Sequence, residues 1–458
     1  MIKAFNRRQF LQTATQAGAG AMAVRYAALA GILSSASGPN LFAAETGKPA
    51  KLGGQPVRTA AFPVWPVIDE REDKAIFDVL HSRKWFRGDG QVVNHFEDAY
   101  LQLTGAKHCV ATANGTSAVI AALGSLDVGP GDEVIVPPYT FVATINAVFM
   151  HHALPVFVDT DPDTFQMDAR KVEAAISDRT VAVLPAHVGG GVADLDTLVE
   201  ISQRRKIALV EDACQAHLAE WRGRKVGTYG AMGCFSFQAS KNLTSGEGGA
   251  VITNDDDLAE RLYSFQNNCR ARKTASFNFT YRGTRGANLR LTEFQASLLL
   301  VQMTRLEEQS KIRDVNAAYL TEQLRQIPGV IPAGQHAGCT RSSHHLYMFR
   351  YQKEHFAGLS RSKFLSALSA EGIPCSGGYS PLNTETFIQN NFKTRAFQRV
   401  YPPEVLAGWG ERTGCPVNDQ LCLEAVWFTQ NMLLGPRSDM DEIVAAIKKI
   451  QTHAAELA

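Results

Sequence analysis

Phe235-Ser236-Phe237-Gln238-Ala239-Ser240-Lys241-Asn242-Leu243-Thr244-Ser245-Gly246-Glu247-Gly248-Gly249 sets a lysine between an apolar run and a glycine-rich turn. Lysines are mostly solvated surface charges. This one follows a strand-like segment and precedes glycines that permit a tight turn and a close backbone approach. Twenty-nine residues before it, Asp212 ends the apolar run Ile207-Ala208-Leu209-Val210-Glu211-Asp212. A lysine able to form a Schiff base, paired with a carboxylate facing a ring nitrogen, is what pyridoxal phosphate requires of a protein.

The flanking pattern predicts the frame that would hold such a pair. Apolar, β-rich runs at 108–113, 133–137, 155–159, 181–185, 207–212, 231–237 and 250–253 alternate with helical patterns at 116–126, 140–148 and 194–204. Unbroken apolar strands alternating with helices point to an α/β fold with a mostly parallel sheet covered on both faces. Ligands in such sheets sit beyond the carboxyl ends of the strands, where Asp212 falls. A long helix is expected over 291–322, followed by a smaller α+β unit with a strand at 345–351 and helices at 360–371 and 440–453. Residues 49–75, with Pro56, Pro63 and Pro66, read as an irregular lead-in, then a helix to about residue 80. The expected organisation is a 1–44 leader, a large domain over 45–310 and a small C-terminal domain over 311–458.

The chain has 458 residues, 45% apolar and 20% charged, with 46 Lys+Arg against 45 Asp+Glu. A net charge of +1 gives no basis for binding nucleic acid or an anionic membrane surface. Residues 1–44 contain no acidic side chain. Asn6-Arg7-Arg8-Gln9-Phe10-Leu11 resembles a twin-arginine export signal, so a periplasmic or otherwise exported location is expected, and a cytoplasmic one if that reading fails. Arg25 interrupts the Ala/Gly-rich stretch that follows, so no stable membrane span is expected. Cleavage after Ala36, Ala43 or Ala44 fits equally. None of the eight cysteines forms a C-x-x-C pair, which leaves no expectation of a zinc site or other metal centre. Cys109, Cys214 and Cys234 lie in apolar runs and read as buried thiols; pairing among the C-terminal four, Cys339, Cys375, Cys415 and Cys422, is open but not readable from the sequence.

Asp212 and Lys241 are the candidate catalytic residues. Lys241, freed from the cofactor, can carry a proton between the amino-bearing carbon and the cofactor. Asn114-Gly115-Thr116-Ser117-Ala118 follows a strand and opens a helix, where free N–H groups suit a phosphate. Gly115 and Thr116 are the candidate phosphate ligands, with Ser236 as a further hydroxyl donor. Phe141, in Pro137-Pro138-Tyr139-Thr140-Phe141, is placed to stack on the ring. His187 is a candidate cleft residue, with a structural role equally open.

Together these residues resemble the DegT/StrS-type sugar aminotransferases, pyridoxal phosphate enzymes of fold type I. The similarity runs over nearly all of 52–455 and is strongest at 113–118, 131–141, 210–217 and 235–249. Gly53-Gly54-Gln55-Pro56-Val57-Arg58, Trp65-Pro66 and Glu220-Trp221-Arg222-Gly223-Arg224 look most like the scyllo-inosose (keto-cyclitol) aminotransferases. The resemblance implies that Lys241 binds the cofactor aldehyde and Asp212 faces the ring nitrogen. It places Gln215 on the O3′ side of the ring and Asn288 at the phosphate of a neighbouring subunit, hence a homodimer with shared active sites. It implies glutamate or glutamine as amino donor and a keto-sugar or keto-cyclitol as acceptor. His344, His345 and Tyr379 are candidates to bind the acceptor's hydroxyls. His187-Val188-Gly189-Gly190 departs from the usual His-Leu-Tyr-Gly, Leu218 stands where glycine is common, and Ala287 where tyrosine is usual. Relatives with histidine in place of the lysine are dehydratases, so Lys241 argues for amino transfer. A dehydratase or eliminase, and an exported non-catalytic binding protein on the same fold, are the alternatives.

Overall fold

In the computed structural model of the chain, residues 47–272, 281 and 283–458 are described. The expected twin-arginine leader, residues 1–44, lies outside them. The seven apolar runs form one seven-stranded sheet. Its strands are β1 (His108–Thr112), β2 (Glu133–Val136), β3 (Leu154–Phe157), β4 (Thr180–Val183), β5 (Ala208–Asp212), β8 (Met232–Ser236) and β9 (Gly249–Thr253). The order is β1-β9-β8-β5-β4-β2-β3, and β9 alone runs against the others. Almost every residue of these strands is buried, as a sheet covered on both faces requires. The fold is therefore the expected α/β class with a mostly parallel sheet.

Helices Gly115–Ser125, Ala143–Met150 and Leu195–Arg205 follow β1, β2 and β4. Two start on side-chain caps: Asn114 accepts from Ser117 N–H and Asp194 from Thr197 N–H. The long helix is Glu293–Leu324, begun by a capping box between Thr292 and Gln295. Two further helices of the large unit, Val92–Thr104 and Asp256–Gln266, were not expected from the pattern. Val92–Thr104 has no side-chain N-cap, so its start carries no local signal.

Beyond the long helix, β10 (Val330–Pro332), β12 (Leu346–Tyr351) and β13 (Ala425–Thr429) form an antiparallel sheet. Helices Arg361–Ala370 and Arg437–Thr452 pack on it around Phe349, Tyr351, Phe364, Ile443 and Ile447. A third sheet joins the two halves of the chain: β11 (Cys339–Arg341) pairs with β6 (Glu220–Trp221), which pairs with β7 (Arg224–Lys225). Residues 382–415 form short helices, and their Ile388, Phe392, Phe397 and Trp409 pack into the core of the seven-stranded sheet. The expected loop around 401–410 is itself helical in part, at Pro403–Ala407 and Trp409–Arg412.

The N-terminal lead-in is clamped to the C-terminal unit. Glu371, fully buried, accepts the N–H groups of Ala50 and Val57 and pairs with Lys449 at 3.0 Å. Arg58 pairs with Asp439 at 2.9 Å and with Glu442 at 2.5 Å.

Candidate active site

The carboxyl ends of β1, β2, β5 and β8 open into a cavity of about 640 Å³. Gly115, Thr116, Phe141, Asp212, Gln215, Ser236 and Lys241 all line it, drawn together from 127 residues of chain. Asn288 does not: it is exposed, in an isolated bridge to Asn267. His345 and Tyr379 line the cavity, whereas His344 turns toward Asp314, 3.5 Å away.

Asp212 is buried at the end of β5. One carboxylate oxygen accepts from Thr144 Oγ1 at 2.8 Å and the other from Cys214 N–H at 3.2 Å. Because Thr144 donates to Asp212, the 3.0 Å contact between Thr140 and Thr144 runs from the Thr140 hydroxyl. Asp212 N–H also donates to Pro185 O at 2.9 Å, which fixes the strand end.

Lys241 sits in the loop after β8. Its Nζ stands 3.4 Å from His345 Nε2. The residue is partly exposed, but its amine end is enclosed, and burial lowers its pKa from the ordinary lysine value against the pull of Cys214 and Asp212.

At the start of helix Gly115–Ser125, Asn114 caps only the N–H of Ser117, leaving the first N–H groups of the helix without intrahelical partners. A Cβ on residue 115 would come within 2.5 Å of Ser236 Cβ, so glycine is what lets the helix start and Ser236 share one small cradle. Ser236 is held from behind: its carbonyl accepts from His217 Nε2 at 2.8 Å, and His217 Nδ1 faces the Tyr100 hydroxyl at 3.3 Å. Burial pushes the His217 pKa down to about 4. A helix N-terminus, a hydroxyl, an enclosed lysine and a buried carboxylate in one largely apolar cavity fit the phosphate, aldehyde and ring nitrogen of pyridoxal phosphate.

Gln215 is occupied at both ends, accepting from Gly189 N–H at 2.8 Å and donating to the Tyr379 hydroxyl at 3.0 Å. The wall opposite is aromatic: the rings of Tyr379 and Trp427 meet edge to face at 4.5 Å, and Trp427 Nε1 donates to the Tyr139 hydroxyl at 3.0 Å. Phe141 lines the mouth and is 56% exposed. His187 reaches the cavity, but its ring is fully buried, with Nδ1 accepting from Ala193 N–H at 3.2 Å. That fixes Nε2–H as donor to Glu211 at 3.1 Å, a structural arrangement. At the unusual Gly189, φ is 65° and a Cβ would meet Met348 Cε at 2.5 Å. Leu218 has a φ of 64°, the left-handed region that favours glycine.

Thr144, Trp427 and His217 were not singled out in the sequence. Thr144 lies one helical turn after Thr140 and on the same face, a spacing that could have been read. Trp427 is brought in from β13 by tertiary packing alone, and nothing local marks it.

The family described as the DegT/DnrJ/EryC1/StrS aminotransferase family matches residues 66–400. An L-glutamine:2-deoxy-scyllo-inosose aminotransferase of Streptoalloteichus tenebrarius is 37% identical over 417 residues, covering 88% of this chain and 97% of that protein. A 3-amino-5-hydroxybenzoate synthase of Amycolatopsis mediterranei is 34% identical over 390 residues, covering 84% and 96%. A crystal structure of 3-amino-5-hydroxybenzoic acid synthase superposes with a TM-score of 0.76 at 32% identity, covering 86% of this chain and 100% of that one.

Proposed function

The chain belongs to the DegT/DnrJ/EryC1/StrS family of pyridoxal phosphate-dependent aminotransferases, and from that premise we propose that it moves an amino group from glutamine or glutamate to a keto-cyclitol or keto-sugar. The observation that carries the reading is the enclosed Nζ of Lys241 in one cavity with the buried, doubly hydrogen-bonded carboxylate of Asp212. When bound, pyridoxal phosphate supplies an electron-poor ring that stabilises negative charge on the amino-bearing carbon. Gly115 and Thr116 N–H and the Ser236 hydroxyl would hold its phosphate, Phe141 would cover the ring, and Gln215 would lie along its O3′ side. Asp212 would hold a proton at the ring nitrogen. The amine of Lys241, whose pKa burial lowers from the ordinary lysine value, would carry the proton from one carbon to the other.

The acceptor reading draws on the relatives and on charge. The charged side chains lining the cavity, among the described residues, are Asp212, Lys241 and Glu247, and no arginine is among them. An uncharged polyol ring therefore fits the lining better than a ligand with a diphosphate. The aromatic wall of Tyr379 and Trp427, backed by the buried Tyr139, also suits the product named for the 3-amino-5-hydroxybenzoate synthase relative, so planar cyclic ketones belong in the same screen. A homodimer in which Asn288 reaches a neighbouring subunit's phosphate, and export through Arg7-Arg8, belong to the same proposal.

The test is spectroscopic. The purified chain converted with glutamine to its pyridoxamine phosphate form is mixed with keto-cyclitols and keto-sugars. Return of the aldehyde-form absorption with an amino-cyclitol product supports the reading. Failure of amino transfer to every ketone, with release of water or another leaving group instead, contradicts it in favour of elimination.

A further inference from the structure

His345 is 104 residues from Lys241 in sequence and lies beyond the long helix, yet its Nε2 stands 3.4 Å from Lys241 Nζ. The ring is buried, 6% exposed, at the end of the segment joining β11 to β12. His344 takes a φ of 48°, bending that segment toward the cavity. The segment is pinned there: Ser343 N–H donates to Gly190 O at 3.0 Å and Ser343 Oγ to Gln215 O at 2.7 Å.

The tautomer of His345 follows from Asn242, the residue after the lysine. Asn242 Nδ2 donates to Ser343 O at 2.7 Å, a contact only an N–H can make with a carbonyl. Its Oδ1 is left facing His345 Nδ1 at 3.3 Å and must accept from it. Nδ1 therefore carries the proton, and Nε2 presents a lone pair to Lys241. The ring stays neutral: burial lowers its pKa well below the ordinary value, and Lys241, His217 and Arg313 lower it further. A neutral acceptor facing an amine is a directional contact, since each N–H of the lysine that points at it fixes one of the three donor directions.

We propose that His345 is the positioning residue for Lys241: its unprotonated Nε2 accepts a hydrogen bond from Nζ and holds the free amine at the mouth of its own covalent site, with Asn242 setting the tautomer. The proposal rests on the assignment of Lys241 as the cofactor-bearing residue. It adds a contact from the C-terminal unit to a lysine carried by the large sheet, so the amine is aimed only when the two are docked.

An acceptor stabilises the protonated amine, so removing it lowers the lysine's pKa. The full chain, stripped of cofactor, is labelled with trace acetic anhydride across pH, and acetylation at Lys241 is quantified by peptide mass spectrometry. His345→Gln keeps an acceptor at the Nε2 position. His345→Asn keeps a polar amide that is too short to reach Nζ, and His345→Leu removes both. The expected result is a labelling midpoint near wild type for Gln, and a midpoint lower by about one pH unit for Asn and Leu, or about tenfold more reactive amine at neutral pH. Equal midpoints in Gln and Asn, or no shift in Leu, overturn the proposal. The labelling needs neither cofactor nor substrate, so a wrong ketone or donor leaves its outcome unchanged. A Lys241 that never bonds cofactor is exposed separately by reductive trapping.

Discussion

Thr144 shows how much of the site depends on residues that orient other residues. Its hydroxyl is the side-chain donor to Asp212 and is itself oriented by Thr140. Thr144→Val keeps the shape and removes that donor. A hydrogen bond to a charged group is worth about 1.5–3 kcal/mol, so cofactor affinity should fall about tenfold or more with little change in melting temperature; equilibrium dialysis measures it. His217 makes a second prediction. Burial holds it at about 4 in the folded chain, against about 6.5 for a free histidine. The folded state keeps it neutral, so its contribution is intact above about pH 6.5 and is lost as pH falls toward 4. His217→Gln should flatten the fall in stability over that window, seen in urea midpoints taken at a series of pH values.

At the scale of elements, the clamp between the N-terminal lead-in and the C-terminal unit is the most exposed to a single change. Glu371 serves two backbone N–H groups and Lys449 while fully buried. Glu371→Ala strands a buried ammonium and two donors and should cost about 3–5 kcal/mol, read as a lowered denaturant midpoint. The central elements were legible in the sequence because their burial is symmetrical. Strands covered on both faces are apolar throughout, so β1 to β5, β8 and β9 stand out as runs, and Asp212 and Lys241 stand out as charges at their ends. The helix at Gly115 was legible from its cap, Asn114. What was hidden lies in pieces whose signal is tertiary. Helices 386–412 are short, and their aromatic residues make sense only against the sheet they cover. The placement of His345 and Trp427 in one cavity with Lys241 depends on how β12 and β13 dock, which no local spacing encodes.

At the scale of the whole molecule, all eight cysteines are free, and Cys109, Cys234, Cys415 and Cys422 are buried. Burial raises the thiol pKa of Cys415 and Cys422 alike, which keeps them protonated and slow to oxidise. Thiol titration in denaturant without reductant should therefore return eight thiols; six or fewer would mean a disulfide that this fold does not hold. No helix among the described residues is long and apolar enough to cross a membrane. The strand ends of the large sheet meet at one cavity, and the account of that cavity turns on a single nitrogen. Borohydride reduction of the cofactor-loaded chain, followed by peptide mapping, tests it most directly. The account predicts a stable pyridoxyl tag on Lys241, absent in Lys241→Ala. A tag on another lysine, or none on a chain that has been given the cofactor, would contradict it.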